Sequence, residues 1–169
     1  MRKAIILLGL AAIAAAPASP VSSLAGRYSK HFQNGMVDGS KFWSDDVVEI
    51  VPVDAAHAYF RAELAFYNGH SCSIAGVAKA VGNKLVYREK QASYDGGPTC
   101  RLTITTKGKS LLLDDGDGSC QSYCGARGSL SGFDFIPLSS KRPIGYMARL
   151  KGSSQFKQAI ADWKAGKTE

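Results

Sequence analysis

The sequence lacks the short signatures of the large hydrolase and nucleotide-binding classes. There is no G-x-S-x-G elbow, no H-E-x-x-H, no phosphate loop and no dinucleotide fingerprint. Ser154-x-x-Lys157 has the form of the S-x-x-K of penicillin-recognising enzymes, but the two companion motifs are missing and 169 residues are too few for that domain. Between residues 26 and 138 no segment carries a helical hydrophobic period, which leaves an all-β body. Aromatic and basic residues are not interleaved, so nucleic acid is not an expected partner. What remains, 45% hydrophobic and 21% charged residues, suits one folded domain with its own core.

The first residues stand apart. Arg2 and Lys3 precede an unbroken run of small and aliphatic residues from Ala4 to Ala16, too short to span a bilayer as a mature helix. This is the pattern of a secretory signal peptide over residues 1–18, cut after Ala18 in Ala16-Pro17-Ala18 or, alternatively, after Ala25 in Ser23-Leu24-Ala25. No cysteine follows either cut, so nothing points to a lipid anchor, and the expected location is periplasmic or secreted. Without the signal, 19 basic residues stand against 14 acidic ones, a net charge of +5. The excess sits at one end: residues 19–138 hold 12 of each sign, while 139–169 hold seven basic and two acidic residues. Lys141, Arg142, Arg149 and Lys151 form a basic patch expected to attract anionic envelope material.

Apolar residues recur at period two between turn signals. Phe60, Ala62, Leu64 and Phe66 share one face of Ala58 to Tyr67; Asn68-Gly69 supplies the backbone angles of a tight turn, and Cys72 to Ala78 returns from it. Gly82-Asn83 leads into Leu85 to Arg88, Cys100 to Thr105 alternates, and Lys107-Gly108-Lys109 turns into Leu111 to Leu113. Two earlier strands are expected at Gly26 to Phe32 and Val47 to Val53, and a last one near Ala126 to Phe135. Eight short strands joined in sequence predict a small antiparallel up-and-down barrel over residues 26–138, with a β-sandwich as the competing arrangement. In the basic tail, residues 139–169, an amphipathic helix is expected near 154–165. Ser153 or Ser154 caps it, Phe156, Ile160 and Trp163 share a face, and Gly166 ends it. A helix of about three turns is marginal alone, so its stripe is expected to dock on the outer wall of the barrel.

Alternating hairpins bring Cys72, Cys100, Cys120 and Cys124 to one rim. An even count in an exported chain reads as two disulfides, with Cys72–Cys100 and Cys120–Cys124 favoured among three possible pairings. A four-cysteine zinc site is the rival, but the C-x3-C spacing has no matching second pair. No metal or cofactor is expected. Asp114, Asp115 and Asp117 crowd a glycine-rich loop with the oxygen ligands calcium uses; a solvated turn needs the same residues, and that reading is preferred. His70 and Arg127 flank the cysteines. The histidine can act as an acid or base, or satisfy the backbone of its hairpin. The arginine can clamp a carboxylate or phosphate, or close the barrel by stacking on an aromatic such as Tyr28.

Asn68-Gly69-His70-Ser71-Cys72, the C-R-L strand at Cys100 to Leu102, and Cys120-x-x-Tyr123-Cys124-Gly125-Ala126-Arg127-Gly128 together resemble a family of exported proteobacterial domains. Its members are sometimes found ahead of a small cysteine-containing domain of the LprI lysozyme-inhibitor type. The likeness covers Gly26 to Phe135 and implies an envelope setting, with a lysozyme-inhibitor-like role as an alternative; the inhibitor-type helical domain has no counterpart here. Gly26-Arg27-Tyr28 with Arg127 is loosely similar to calycin barrels of the lipocalin type, which implies a carrier of a small apolar ligand as a further alternative. The rim residues expected to touch a ligand are His70, Arg127 and Tyr123.

A hydrolase would need a nucleophile–base pair, and none is evident. The expected function is therefore a non-catalytic binding module that recognises an anionic envelope component or a secreted protein target through disulfide-braced rim loops, with peripheral membrane contact through the basic tail. Loops held rigid lose little entropy on binding. A neutral body with a basic tail gains no steering toward a cationic enzyme such as a lysozyme, whereas anionic partners fit.

Overall fold

Backbone pairing in the computed structural model, which describes residues 19–91, 96–132 and 136–169, runs through eight antiparallel strands in simple sequence order. They are β1 (Gly26–Gly35), β2 (Lys41–Pro52), β3 (His57–Ala65), β4 (Ser71–Val81), β5 (Lys84–Arg88), β6 (Arg101–Lys107), β7 (Ser110–Asp114) and β8 (Ile136–Pro137). The ring nearly closes where the chain after β8 meets β1. Arg27 and Arg142 exchange both backbone hydrogen bonds at 2.8 Å, and the Ser29 amide donates to Ser140 Oγ at 3.1 Å. The architecture is the up-and-down barrel, not the sandwich. The expected signal peptide, residues 1–18, lies outside the described residues, as do residues 133–135 of the expected last strand.

Period-two alternation turns Ile50, Phe60, Ile74, Leu102 and Ile104 inward, where all are buried. Both mouths are filled as well. At the lower one, Ser19 caps the short helix α1 (Pro20–Ser23), which presents Val21 and Leu24 to the core, and Tyr28 Oη donates to the Leu24 carbonyl at 2.9 Å. At the upper one, Leu130 is buried in the same core, and a polar group is bonded: Asn34 Nδ2 donates to Ser44 Oγ (3.2 Å) and the Phe66 carbonyl (2.9 Å), and Asp46 accepts from the Ala65 amide at 2.9 Å. Buried polar groups persist there because they are bonded.

Two strand boundaries differ most from expectation. β2 starts at Lys41 instead of Val47, because Ser44 and Asp46 are buried polar residues on a strand whose apolar alternation they interrupt. The last strand is Ile136–Pro137, not Ala126 to Phe135. Within that range Ser129 and Ser131 bend the chain, Ser129 Oγ accepting from the Ser131 amide at 3.1 Å and donating to its carbonyl at 2.9 Å, so Leu130 plugs the mouth instead of joining the sheet.

The tail belongs to the fold. α2 (Met147–Gly152) precedes α3 (Ser154–Lys164), whose first turn is capped by Ser153 Oγ accepting from the Phe156 amide at 3.2 Å. Gly166, at φ +71°, ends it. α3 docks on the outer face of β3 and β4: Phe156 lies 4.6 Å from the Tyr59 ring, Trp163 lies 4.9 Å from His57, and Val51, Tyr59, Ile144, Leu150 and Ala159 form a second core beneath the helices. Tyr59, assigned by alternation to the outer face, is buried for this reason. Residues 167–169 then pair with the continuation of β5: Arg88 and Glu169 exchange both backbone bonds at 2.8 Å, and the Lys90 amide donates to the Lys167 carbonyl at 2.9 Å. Under α2 lies Glu49, fully buried, its carboxylate clamped by Arg61 Nη2 (2.6 Å) and the Tyr146 hydroxyl, with Arg27 Nε at 3.9 Å.

Candidate functional site

The upper rim is built on two disulfides, Cys72–Cys124 and Cys100–Cys120, which correct the expected pairing. Gln121–Tyr123 forms a single 3-10 turn that sends its flanking cysteines to different strands. Cys120 lies buried over Cys100, next to β6, while Cys124 bridges to Cys72 at the head of β4, where the Gly125 amide also donates to the Ser71 carbonyl at 2.8 Å. At Gly128 an added Cβ would stand 2.8 Å from Cys72 Sγ, so the loop closes on β4 only with glycine there. Buried Asp115 organises the same loop: its carboxylate accepts from the Cys120 amide (3.2 Å) and from the Ser131 hydroxyl. Asp114 accepts from the Gly116 amide at 2.9 Å, the bond of a tight polar turn.

Of the three expected ligand residues, His70 is half-buried against Gly125, and its carbonyl accepts from the Phe66 amide at 2.7 Å, which closes the hairpin. Arg127 is exposed and has no ion pair or side-chain hydrogen bond among the described residues. It does not stack on Tyr28, which lies at the opposite mouth with Lys141 Nζ 5.9 Å from its ring. At the same upper rim, Val37 (70% exposed), Tyr67 and Met36 form an exposed apolar group, tied together by Tyr67 Oη donating to the Met36 carbonyl at 2.9 Å and the Val37 amide donating to Asn68 Oδ1 at 3.4 Å.

Tyr123 is turned away from these, into a cleft of about 540 Å³ in the barrel wall. β4 and β5 pair only over Lys79–Val81 and Lys84–Val86. Above that point the strands part, and the Tyr87 ring fills the gap over Gly76, where a Cβ would stand 2.4 Å from it. The cleft is walled by β4 on one side, α3 on another, and Glu89, Tyr123 and the end of the chain on the third. Tyr87 Oη (3.3 Å) and Tyr123 Oη both donate to Glu89 Oε1, and Glu89 Oε2 accepts from the Cys100 amide at 3.2 Å. Asp162 accepts from Gln158 Nε2 and Lys167 Nζ, both at 2.9 Å, and these bonds hold its carboxyl below the ordinary range.

Burial, then its bond to Glu89, pushes the Tyr123 phenol up to about 12; burial also raises Tyr87, and lifts Tyr59 to about 12. A phenol raised on folding favours the neutral folded form, so its contribution is complete below the unfolded value near 10 and fades as pH climbs through the folded one. An alkaline titration followed by phenolate absorbance and circular dichroism is expected to show a late tyrosine component that appears together with loss of structure. Tyr87→Phe and Tyr123→Phe should each diminish it. A single early step with the fold intact would contradict the cluster.

The basic-patch residues lie on the tail. Lys141 Nζ donates to the Ser23 carbonyl (2.6 Å), Arg142 Nη1 to the carbonyls of Ser139 and Lys141 (2.9 and 2.7 Å), Arg149 sits 5.0 Å over the Tyr146 ring, and Lys151 is exposed. Among the described residues none of the four has a carboxylate partner, whereas Lys79 and Lys167 pair with Glu169 and Asp162. The sequence reading missed Glu89, Gln155, Asp162 and Thr168. Tyr87 and Glu89, two apart on one strand, are the only local hint; the rest meet through a tail contact with no local signature. Comparison with protein-family models, with curated proteins and with solved structures finds no match.

Proposed function

We propose that this chain is an exported, non-catalytic binding module of the cell envelope, whose disulfide-braced rim recognises an anionic envelope component. The observation that carries this reading is Arg127: exposed, without an ion pair or side-chain hydrogen bond among the described residues, on a loop fixed by two disulfides and at the same rim as the exposed apolar group of Met36, Val37 and Tyr67. A rim that carries an arginine together with exposed aromatic and aliphatic groups has the composition of contact surfaces. The four tail cations, which have no carboxylate partner among the described residues, add the attraction for anions. Two disulfides fit an oxidising compartment, periplasmic or extracellular. Within this reading the signal is cut after Ala18, since a cut after Ala25 would discard Val21 and Leu24, which plug the lower mouth. The carrier alternative gains little support, because the interior is filled by side chains.

The test is sedimentation of the mature chain with vesicles of phosphatidylglycerol and phosphatidylcholine, and with phosphatidylcholine alone. Binding is expected only to the anionic vesicles and is expected to fall as salt rises. Arg127→Ala and Arg142→Gln/Lys151→Gln, all at exposed positions, should each weaken it by about fivefold per charge with Tm unchanged. Charges are neutralised in place because truncating the tail would strip the wall of β3 to β5. No binding to the anionic vesicles at low salt removes the anionic reading.

A further inference from the structure

We propose that the cleft between β4, Glu89 and α3 is a second binding site, for a neutral saccharide of about two rings. Its size falls within the range of small-molecule pockets at about 540 Å³. Its chemistry selects among ligand classes. Two carboxylates, Glu89 and Asp162, face one cation, Lys167, so the cleft repels anions. A cation finds no free carboxylate either: Glu89 already accepts from Tyr87, Tyr123 and the Cys100 amide, and Asp162 from Gln158 and Lys167.

What is unspent in the cleft is neutral. The side chains of Gln155 and Ser122 line it and make no hydrogen bond among the described residues. A hydroxyl and a carboxamide each both donate and accept. A ligand that satisfies them must do the same at closely spaced positions, as successive sugar hydroxyls do. Ala75, Ala159 and the Tyr123 ring supply apolar surface for the C–H face of such a ring.

The experiment is a two-dimensional amide NMR titration of the mature chain with cellobiose, with N,N′-diacetylchitobiose and, as the anionic control, with glycerol phosphate. Either disaccharide is expected to give saturable shifts at Ser122, Tyr123, Thr168 and the Gln155 side-chain amide. Gln155→Ala and Ser122→Ala, neither in a core position, should weaken that binding by about tenfold. No saturable shift with either sugar up to about 20 mM overturns the proposal. So do variants that both bind as tightly as the unsubstituted chain, or stronger shifts from glycerol phosphate. The site is independent of the rim, and Arg127→Ala should leave the sugar titration unchanged.

Discussion

Glu49→Ala is expected to lower folding stability by about 3–5 kcal/mol, the cost of breaking a buried ion pair from one side. Glu49 is fully buried and neutralises Arg61 at 2.6 Å, with Arg27 at 3.9 Å and the Tyr146 hydroxyl on the same carboxylate. Removing it strands two guanidinium groups and cuts the bond that holds Tyr146, and with it the approach to α2, on β2. Glu49→Gln keeps an acceptor for Tyr146 and should lose less. The sharper comparison is Glu49→Leu with and without Arg61→Met: the double variant should be more stable than the single one, since an apolar pair replaces an unpaired charge. Chemical denaturation monitored by fluorescence measures all four. A Glu49→Ala midpoint equal to wild type would mean that the clamp contributes nothing.

Opening the two disulfides separately should give unequal losses. Cys72–Cys124 closes a separation of 52 residues and Cys100–Cys120 one of 20. The loop-entropy relation puts these at about 4 and about 3 kcal/mol. Cys72→Ser/Cys124→Ser is therefore expected to be the more damaging pair, and also to free the Arg127 loop from β4, whereas Cys100→Ser/Cys120→Ser leaves that loop attached. Thermal denaturation gives the order, and limited proteolysis around residues 125–132 reports the release. Equal Tm losses with no added cleavage would show that the loop is held by Asp115 and the backbone bonds instead.

How much of this was legible in the sequence depends on how local each cause is. The strands from Phe60 to Leu113 could be read because apolar alternation and the turns at Asn68-Gly69, Gly82-Asn83 and Gly108-Lys109 are short-range signals. The cap at Ser153 and the stop at Gly166 were readable for the same reason. The first half of β2 was not, because its buried side chains are Ser44 and Asp46, and polar residues facing inward carry no hydrophobic period. The rim was readable as a place, from the cysteines, but not in its contacts: proximity in sequence suggested Cys120 with Cys124, whereas the turn between them points the two apart. Of the cleft, only Tyr123 and the spacing of Tyr87 and Glu89 could be read. The cleft exists because β4 and β5 stop pairing above Val86 and because residues 167–169 arrive about 80 positions later to line the gap.

The disulfides are nested, first cysteine with fourth and second with third. A chain that reaches an oxidising compartment N-terminus first exposes Cys72 and Cys100 while the other two are still behind, and the first bond open to it is Cys72–Cys100. That bond is not one of the native pairs. Reaching the native pairs then takes a thiolate from Cys120 or Cys124 attacking it, an exchange that runs over seconds to hours without a catalyst. Maturation of this barrel should therefore be limited by disulfide shuffling, and its yield should rise with a disulfide isomerase more than with a stronger oxidant.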